Sequence, residues 1–291
     1  MKFHRVLAIP VLVATAALTL TACGSDDKAS SDTVVRIGTT DKDKAWDVFE
    51  QRAKDKGITL KVTTFSDYKQ PNLALAQQQI DVNLFQHLQF LGAYNVANND
   101  TLTPIGATYI VPLGLYSKKH KTLADLPQGA EIAIPNDPTN QARALFVLQA
   151  AGLLKLSSKT NSPSPADIDR GASKVKVTTV DAAQTALSLA SVDGSVINNT
   201  FLERSGIDPS SALYKDDPKD PAAEPYINAL VTRAEDKNNP KLLQLVELWH
   251  DPEVQQAHSE VTKGTAVEVR RNGPELEQIL QRVQQSIRDG K

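Results

Sequence analysis

Arg143 stands about one turn inside a helix whose start is marked by Asp137-Pro138-Thr139-Asn140. A guanidinium can give a carboxylate two parallel charge-assisted hydrogen bonds. The free N–H groups and positive dipole end of a helix start favour an anion as well. By residue type alone the competing role is an exposed arginine in a surface ion pair. Asn198 closes the apolar run Gly194-Ser-Val-Ile197. Its amide can donate to a carboxylate or accept from an ammonium, or it can turn the chain within Asn198-Asn199-Thr200. Tyr68 follows a polar turn, and Phe85 and His87 follow a strand-like run. All three can wall a cleft mouth, or the rings can pack a core with the imidazole beside them. Asn72, Asn83 and Asn136 are lesser candidates, as supporting or structural amides, with Asn136 also placed to cap the helix.

Other chemistry is scarce. There is no Gly-x-Ser-x-Gly, His-Glu-x-x-His, P-loop or Gly-x-Gly-x-x-Gly string. His87, His120, His250 and His258 lie at no metal-ligand spacing on a shared helix face, so no metal and no cofactor is expected. With 1 cysteine the chain can form no internal disulfide. Lys+Arg 32 against Asp+Glu 34 argues against phosphate neutralisation, and 5% aromatics against single-strand stacking, so no nucleic acid is expected. A soluble enzyme or a soluble binding protein remains.

The elements that must position these side chains follow from periodicity. Val34–Gly38 reads as a strand, Trp46, Phe49 and Ala53 as a helical stripe closed by Gly57, and Ile58, Leu60 and Val62 as a strand. A helix from Pro71 to about Gln79, a strand at 80–84 and a helix over 86–95 follow. Tyr109 to Tyr116, broken by Pro112 and Gly114, reads as a strand crossing between lobes. A second block has strands at 131–135, 175–179 and 194–197, a turn at 136–140 and helices at 141–151 and 182–190. Pro209 to Pro225 reads as loop, Tyr226 to Arg233 as a returning strand, and the remainder as helical. Pro274 to Asp289 carries Leu276, Ile279, Leu280 and Val283 on one face. Alternating strands and helices give an α/β fold with mostly parallel sheets. A chain that crosses twice makes two lobes with a cleft between them, where ligands bind.

Residues 1–22 read as a basic start, an apolar run and a small-residue exit: a secretory signal peptide. The apolar run is shorter than the about 20 residues of a spanning helix. Cys23 follows Leu20-Thr21-Ala22, which resembles the lipobox of bacterial lipoproteins, cleaved before a cysteine that is then acylated. Residues 23–32 form a lipidated flexible tether without large apolar side chains. The expected location is the extracytoplasmic face of the cell membrane, held by the lipid.

Three stretches resemble the NlpA/MetQ family of methionine-binding lipoproteins of ABC importers. They are Phe65-Ser-Asp-Tyr68-Lys-Gln-Pro-Asn72 through Asp81-Val-Asn83-Leu-Phe85-Gln-His87, then Val111-Pro-Leu-Gly114 with Pro135-Asn-Asp-Pro-Thr-Asn140-Gln-Ala-Arg143, and finally Ala182-Ala-Gln184 with Val196-Ile-Asn198 and Pro225-Tyr226-Ile-Asn228. The likeness runs from about residue 34 to 267. It implies a two-lobed, type II periplasmic-binding-protein-like fold with two hinge crossings, lobe 1 being 33–115 plus 226–291 and lobe 2 being 116–225. It implies a monomeric binding protein, not an enzyme, that captures L-methionine and delivers it to a permease with ATPase subunits. Another amino acid or a methionine-containing dipeptide is the alternative ligand, and a lipid-anchored hydrolase the alternative class. The resemblance makes Tyr68, Phe85, His87, Arg143 and Asn198 ligand contacts and leaves Asn72, Asn83 and Asn136 as weaker ones. Two departures stand out: Phe201 occupies a position where the family usually has Tyr, and residues 272–291 extend beyond the family's usual end.

Overall fold

A computed structural model describes residues 33–290; the signal peptide, Cys23 and the tether to residue 32 lie outside the described residues. Among the described residues no helix is long and apolar enough to cross a membrane. The chain opens with β1 (Thr33–Thr39), α1 (Lys44–Asp55), β2 (Ile58–Thr64), α2 (Gln70–Ala76), β3 (Val82–Asn83), α3 (Leu88–Asn98), β4 (Thr103–Ala107) and β5 (Tyr109–Ile110). A second block holds β6 (Gly114–Tyr116), β7 (Ala130–Pro135), α4 (Pro138–Ala150), β8 (Val175–Val180), α5 (Thr185–Ser188), β9 (Gly194–Ile197) and β10 (Tyr214–Lys215). The chain then returns through β11 (Ala229–Thr232), α6 (Pro240–Trp249), α7 (Pro252–Val261), β12 (Val267–Glu268) and α8 (Gly273–Arg288).

Two five-stranded sheets result, in the orders β2-β1-β3-β11-β4 and β10-β6-β9-β7-β8, with β12 and β5 pairing separately. Within the first, β1 runs parallel to β2 and β3, and the returning β11 is antiparallel to its neighbours. In the second, β7 is parallel to β8 and β9, while β6 and β10 are antiparallel additions. The chain passes from the first five-stranded sheet to the second between Ala107 and Gly114, by way of β5, and comes back between Lys215 and Ala229. This is a two-lobed α/β architecture with two crossings.

Each lobe has its own core. Ile37, Ile58 and Val82 of the first sheet pack with Phe49 and Trp249, whose rings meet edge-on at 5.4 Å. Its other face is covered by Leu88 and Leu91 of α3 against Leu276, Ile279, Leu280 and Val283 of α8. The C-terminal extension is thus part of the core, and each such side chain stabilises the fold by roughly 1.5–3 kcal/mol. In the second lobe Leu115, Ile132, Ile134 and Val196 meet Leu145 and Leu148 of α4.

Several elements differ from the periodicity reading. Asp137 caps α4 by accepting from the Asn140 N–H, so the helix starts at Pro138 and not at Gln141. β4 was not expected, because Pro104 and Gly106 interrupt its apolar pattern. The expected helix at 182–190 is one tight turn, Ala182–Gln184, followed by the four residues of α5. The 209–225 loop contains β10, and its last residues form a turn, so β11 begins at Ala229 instead of Tyr226. The C-terminal part is not wholly helical, since β12 interrupts it.

Candidate functional site

The five leading candidates converge. Tyr68, Phe85, His87, Arg143 and Asn198 line one small cleft between the lobes, together with Gln86, Phe90, Val111, Asn140, Asn199, Thr200 and Asn228. The space that a water centre can occupy there is about 30 Å³, so the lobes are drawn together.

The aromatic wall comes from both lobes. Tyr68 lies 6.1 Å from Phe85, 5.9 Å from Phe90 and 5.2 Å from Phe201, measured between ring centres. Phe201 is fully buried and carries no hydroxyl; the Tyr68 hydroxyl hydrogen-bonds Thr200 instead. Burial raises the Tyr68 pKa, so the phenol stays neutral.

His87 caps α3: its Nδ1 accepts from the Phe90 N–H at 3.1 Å. That bond leaves the ring proton on Nε2, which faces Asn140 Oδ1 of the other lobe at 3.4 Å. Burial, reinforced by the Arg143 charge, pushes the His87 pKa down to about 3. The imidazole is therefore a neutral donor at physiological pH.

Arg143 is 4% exposed. Its Nε donates to Asp216 Oδ2 at 2.7 Å, its Nη2 donates to the Val111 carbonyl at 3.0 Å, and its Cζ sits 4.1 Å from the centre of the Tyr226 ring. This buried, paired guanidinium is unlike the surface arginine that residue type alone suggests. Asn198 Nδ2 donates to Asn140 Oδ1 at 2.7 Å, while its Oδ1 is buried with no partner. Asn140 is held in turn by donating from Nδ2 to Asp137 Oδ1 at 2.9 Å. The asparagine cluster thus leaves one acceptor unspent, in reach of the cleft that Asn198 lines.

The lesser candidates sit elsewhere. Asn72 and Asn83 are buried behind Gln86 and bonded to it at 2.7 and 3.0 Å, so they brace a cleft residue without lining the cleft. Asn136 is exposed, lies outside the lining, and leaves the cap of α4 to Asp137. Three further contributors, Asn140, Asn228 and Asp216, stand outside the candidates expected from the sequence. Asn140 precedes Arg143 by three positions, a spacing that shares a helix face. Asn228 ends the Pro225-Tyr226-Ile-Asn228 stretch. Asp216 lies in a Pro- and Asp-rich loop with no distinguishing signal.

A second cavity of about 290 Å³ adjoins the cleft, sharing Phe85, Val111 and Thr200 with it and bordered by Asp41, Asp43 and Glu203. Burial, with Asp43 and Glu203 nearby, pushes Asp41 up to about 8; burial likewise raises Asp43 to about 6.

Two α/β lobes joined by two crossings and closed over a small aromatic and amide-lined gap define a periplasmic-binding-protein-like molecule. The chain belongs to the NlpA lipoprotein family, whose model matches residues 35–270. It is similar, at 34% identity over 271 residues, to the D-methionine-binding lipoprotein MetQ of Escherichia coli O157:H7, covering 91% of this chain and 98% of that one. Among solved structures it resembles the substrate binding protein of a methionine transporter from Streptococcus pneumoniae, with 36% identity, a TM-score of 0.76, and 81% and 95% of the two chains covered. It also resembles a nutrient binding protein from Burkholderia cenocepacia bound to methionine, with 36% identity, a TM-score of 0.76, and 80% and 99% covered.

Proposed function

We propose that this chain is a lipid-anchored, extracytoplasmic binding protein that captures methionine and delivers it to an ABC permease driven by ATPase subunits. The observation that carries the reading is the meeting of a buried guanidinium, an unspent amide acceptor and an aromatic wall in one cleft between the lobes. Arg143 takes the carboxylate, Asn198 Oδ1 accepts from the ammonium, and Tyr68, Phe85 and His87 enclose the side chain. Sulfur–aromatic contacts add roughly 0.3–1.5 kcal/mol each, which favours a thioether over an aliphatic chain of equal length. With about nine heavy atoms at up to about −1.5 kcal/mol per atom, nanomolar affinity is reachable only when every charge is paired in a dry cleft. The chain carries the ligand without transforming it. Cys23 supplies the anchor; several acyl chains hold a protein to a bilayer where one holds it only marginally.

Isothermal titration of the full chain in detergent with L-methionine, D-methionine, leucine and methionine dipeptides tests this. Tight one-to-one binding of a methionine isomer, at least a hundredfold stronger than leucine, is expected. Equal affinity for leucine, or no binding of either methionine isomer, would overturn it. Native mass spectrometry of freshly purified protein gives an independent answer, since a co-purified ligand reports its own mass.

A further inference from the structure

Arg143 has five N–H donors in a rigid plane and two edges that can each grip an oxygen pair. One edge is already filled: Nε donates to Asp216 Oδ2 at 2.7 Å and Nη2 to the Val111 carbonyl at 3.0 Å. The other Asp216 oxygen accepts from the Leu113 N–H at 2.7 Å. Val111 and Leu113 lie on the first crossing between the sheets, and Asp216 directly follows β10 at the start of the second. A single carboxylate thereby ties the guanidinium to both crossings, with Tyr226 stacked at 4.1 Å from Cζ.

We infer that Asp216 is a positioning residue for ligand capture: by occupying the Nε edge of Arg143 with Val111, it turns the edge bearing both terminal nitrogens toward an incoming carboxylate. This rests on the reading that Arg143 receives the ligand's acid group. Two physical consequences support the assignment. A guanidinium this buried cannot be oriented by solvent, so a fixed partner must set its plane. Its charge would also stand uncompensated in the empty cleft if Asp216 were neutral. A ligand carboxylate then makes two parallel bonds to the Nη pair without displacing a protein partner.

Asp216→Asn separates this role from the support of the crossing. The amide oxygen can still accept from Leu113, while its N–H₂ cannot accept from Arg143 Nε. Titration of the full chain in detergent with L- or D-methionine should show at least tenfold weaker binding in Asp216→Asn. In an Arg143→Lys background, which has no Nε edge, the same change should cost less than twofold. Asp216→Glu, which keeps the carboxylate, should stay closer to wild type than Asp216→Asn. Equal losses in the arginine and lysine backgrounds would overturn the inference, because Asp216 would then act on the crossing alone. Asp216→Ser repeats the comparison should the amide variant not fold. A ligand-free readout is the Nε–H resonance of Arg143, assigned by its disappearance in Arg143→Lys. It should be shifted and protected from solvent exchange in the wild type and lose both properties in Asp216→Asn; an unchanged signal would overturn the inference. Were methionine not to bind the wild-type chain, the ligand reading would fall, and this resonance would still decide the position of Asp216.

Discussion

Replacing Arg143 with Ala leaves Asp216 without its partner and the ligand carboxylate without a counter-charge in a closed cleft. Truncating one member of a buried, hydrogen-bonded charge pair costs about 2–5 kcal/mol, so methionine affinity measured by calorimetry should fall at least about thirtyfold; an unchanged value would remove Arg143 from the site. Titration follows a different set of residues. His87 and His258, held down to about 3 and about 4 by burial, are neutral in the fold but protonate in the unfolded chain near 6.5. Their contribution is complete above that pH and is lost as the pH falls toward 3–4. Asp41 has the opposite sign: its pKa is raised to about 8 from 3.8, so its favourable contribution is complete below pH 4 and lost as the pH climbs to 8. Asp43, raised only to about 6, has lost its contribution by pH 6.5, so between pH 6.5 and 8 Asp41 governs alone among these groups. The melting temperature should decline over that window in the wild type, and Asp41→Asn should flatten the decline.

Among the elements, α8 was readable in advance, because Leu276, Ile279, Leu280 and Val283 repeat at helical spacing and all four are buried. Leu280→Ala should destabilise the protein by about 2–5 kcal/mol in denaturant unfolding, the range for emptying a packed leucine site. β4 was not readable, and its glycine shows why. A Cβ on Gly106 would stand 2.2 Å from Val246 Cγ1, so the strand tolerates only glycine where α6 crosses it. That requirement comes from a helix more than a hundred residues downstream, and no local pattern announces it. Gly106→Ala should lower stability by about 1–3 kcal/mol through overpacking, and Val246→Ala in the same chain should recover part of the loss. The start of α4 lies three residues before the expected one for a local reason: Asp137 and Pro138, both common turn formers, are its cap and first helical residue.

For the molecule as a whole, the alternation of strands and helices and the broken apolar run at 109–116 were enough to indicate two lobes and a gap. That Tyr68, Phe85, His87, Arg143 and Asn198 gather at one gap follows the motif strings, whereas residue type alone sends Arg143 to the surface. Partners reached only through the fold were not: Asp216 meets Arg143 across 73 positions, and Asn140 meets His87 across 53. One exposed ion pair, Lys69 with Asp181 at 2.9 Å, also joins the two halves of the chain. Solvent and side-chain entropy hold such pairs to about 0.2–1 kcal/mol, so Lys69→Ala should weaken methionine binding by less than about fivefold, with the remaining salt dependence reduced. At the N-terminus, Cys23→Ser should abolish incorporation of labelled fatty acid, and undiminished labelling would defeat the anchor.

The narrowness of the gap has a kinetic meaning. With room for little more than a single water centre around the gathered rings and amides, a guest the size of an amino acid can neither enter nor leave while the walls keep this spacing. Escape must then wait for the halves to swing apart, so every guest small enough to be shut in should leave on the same clock.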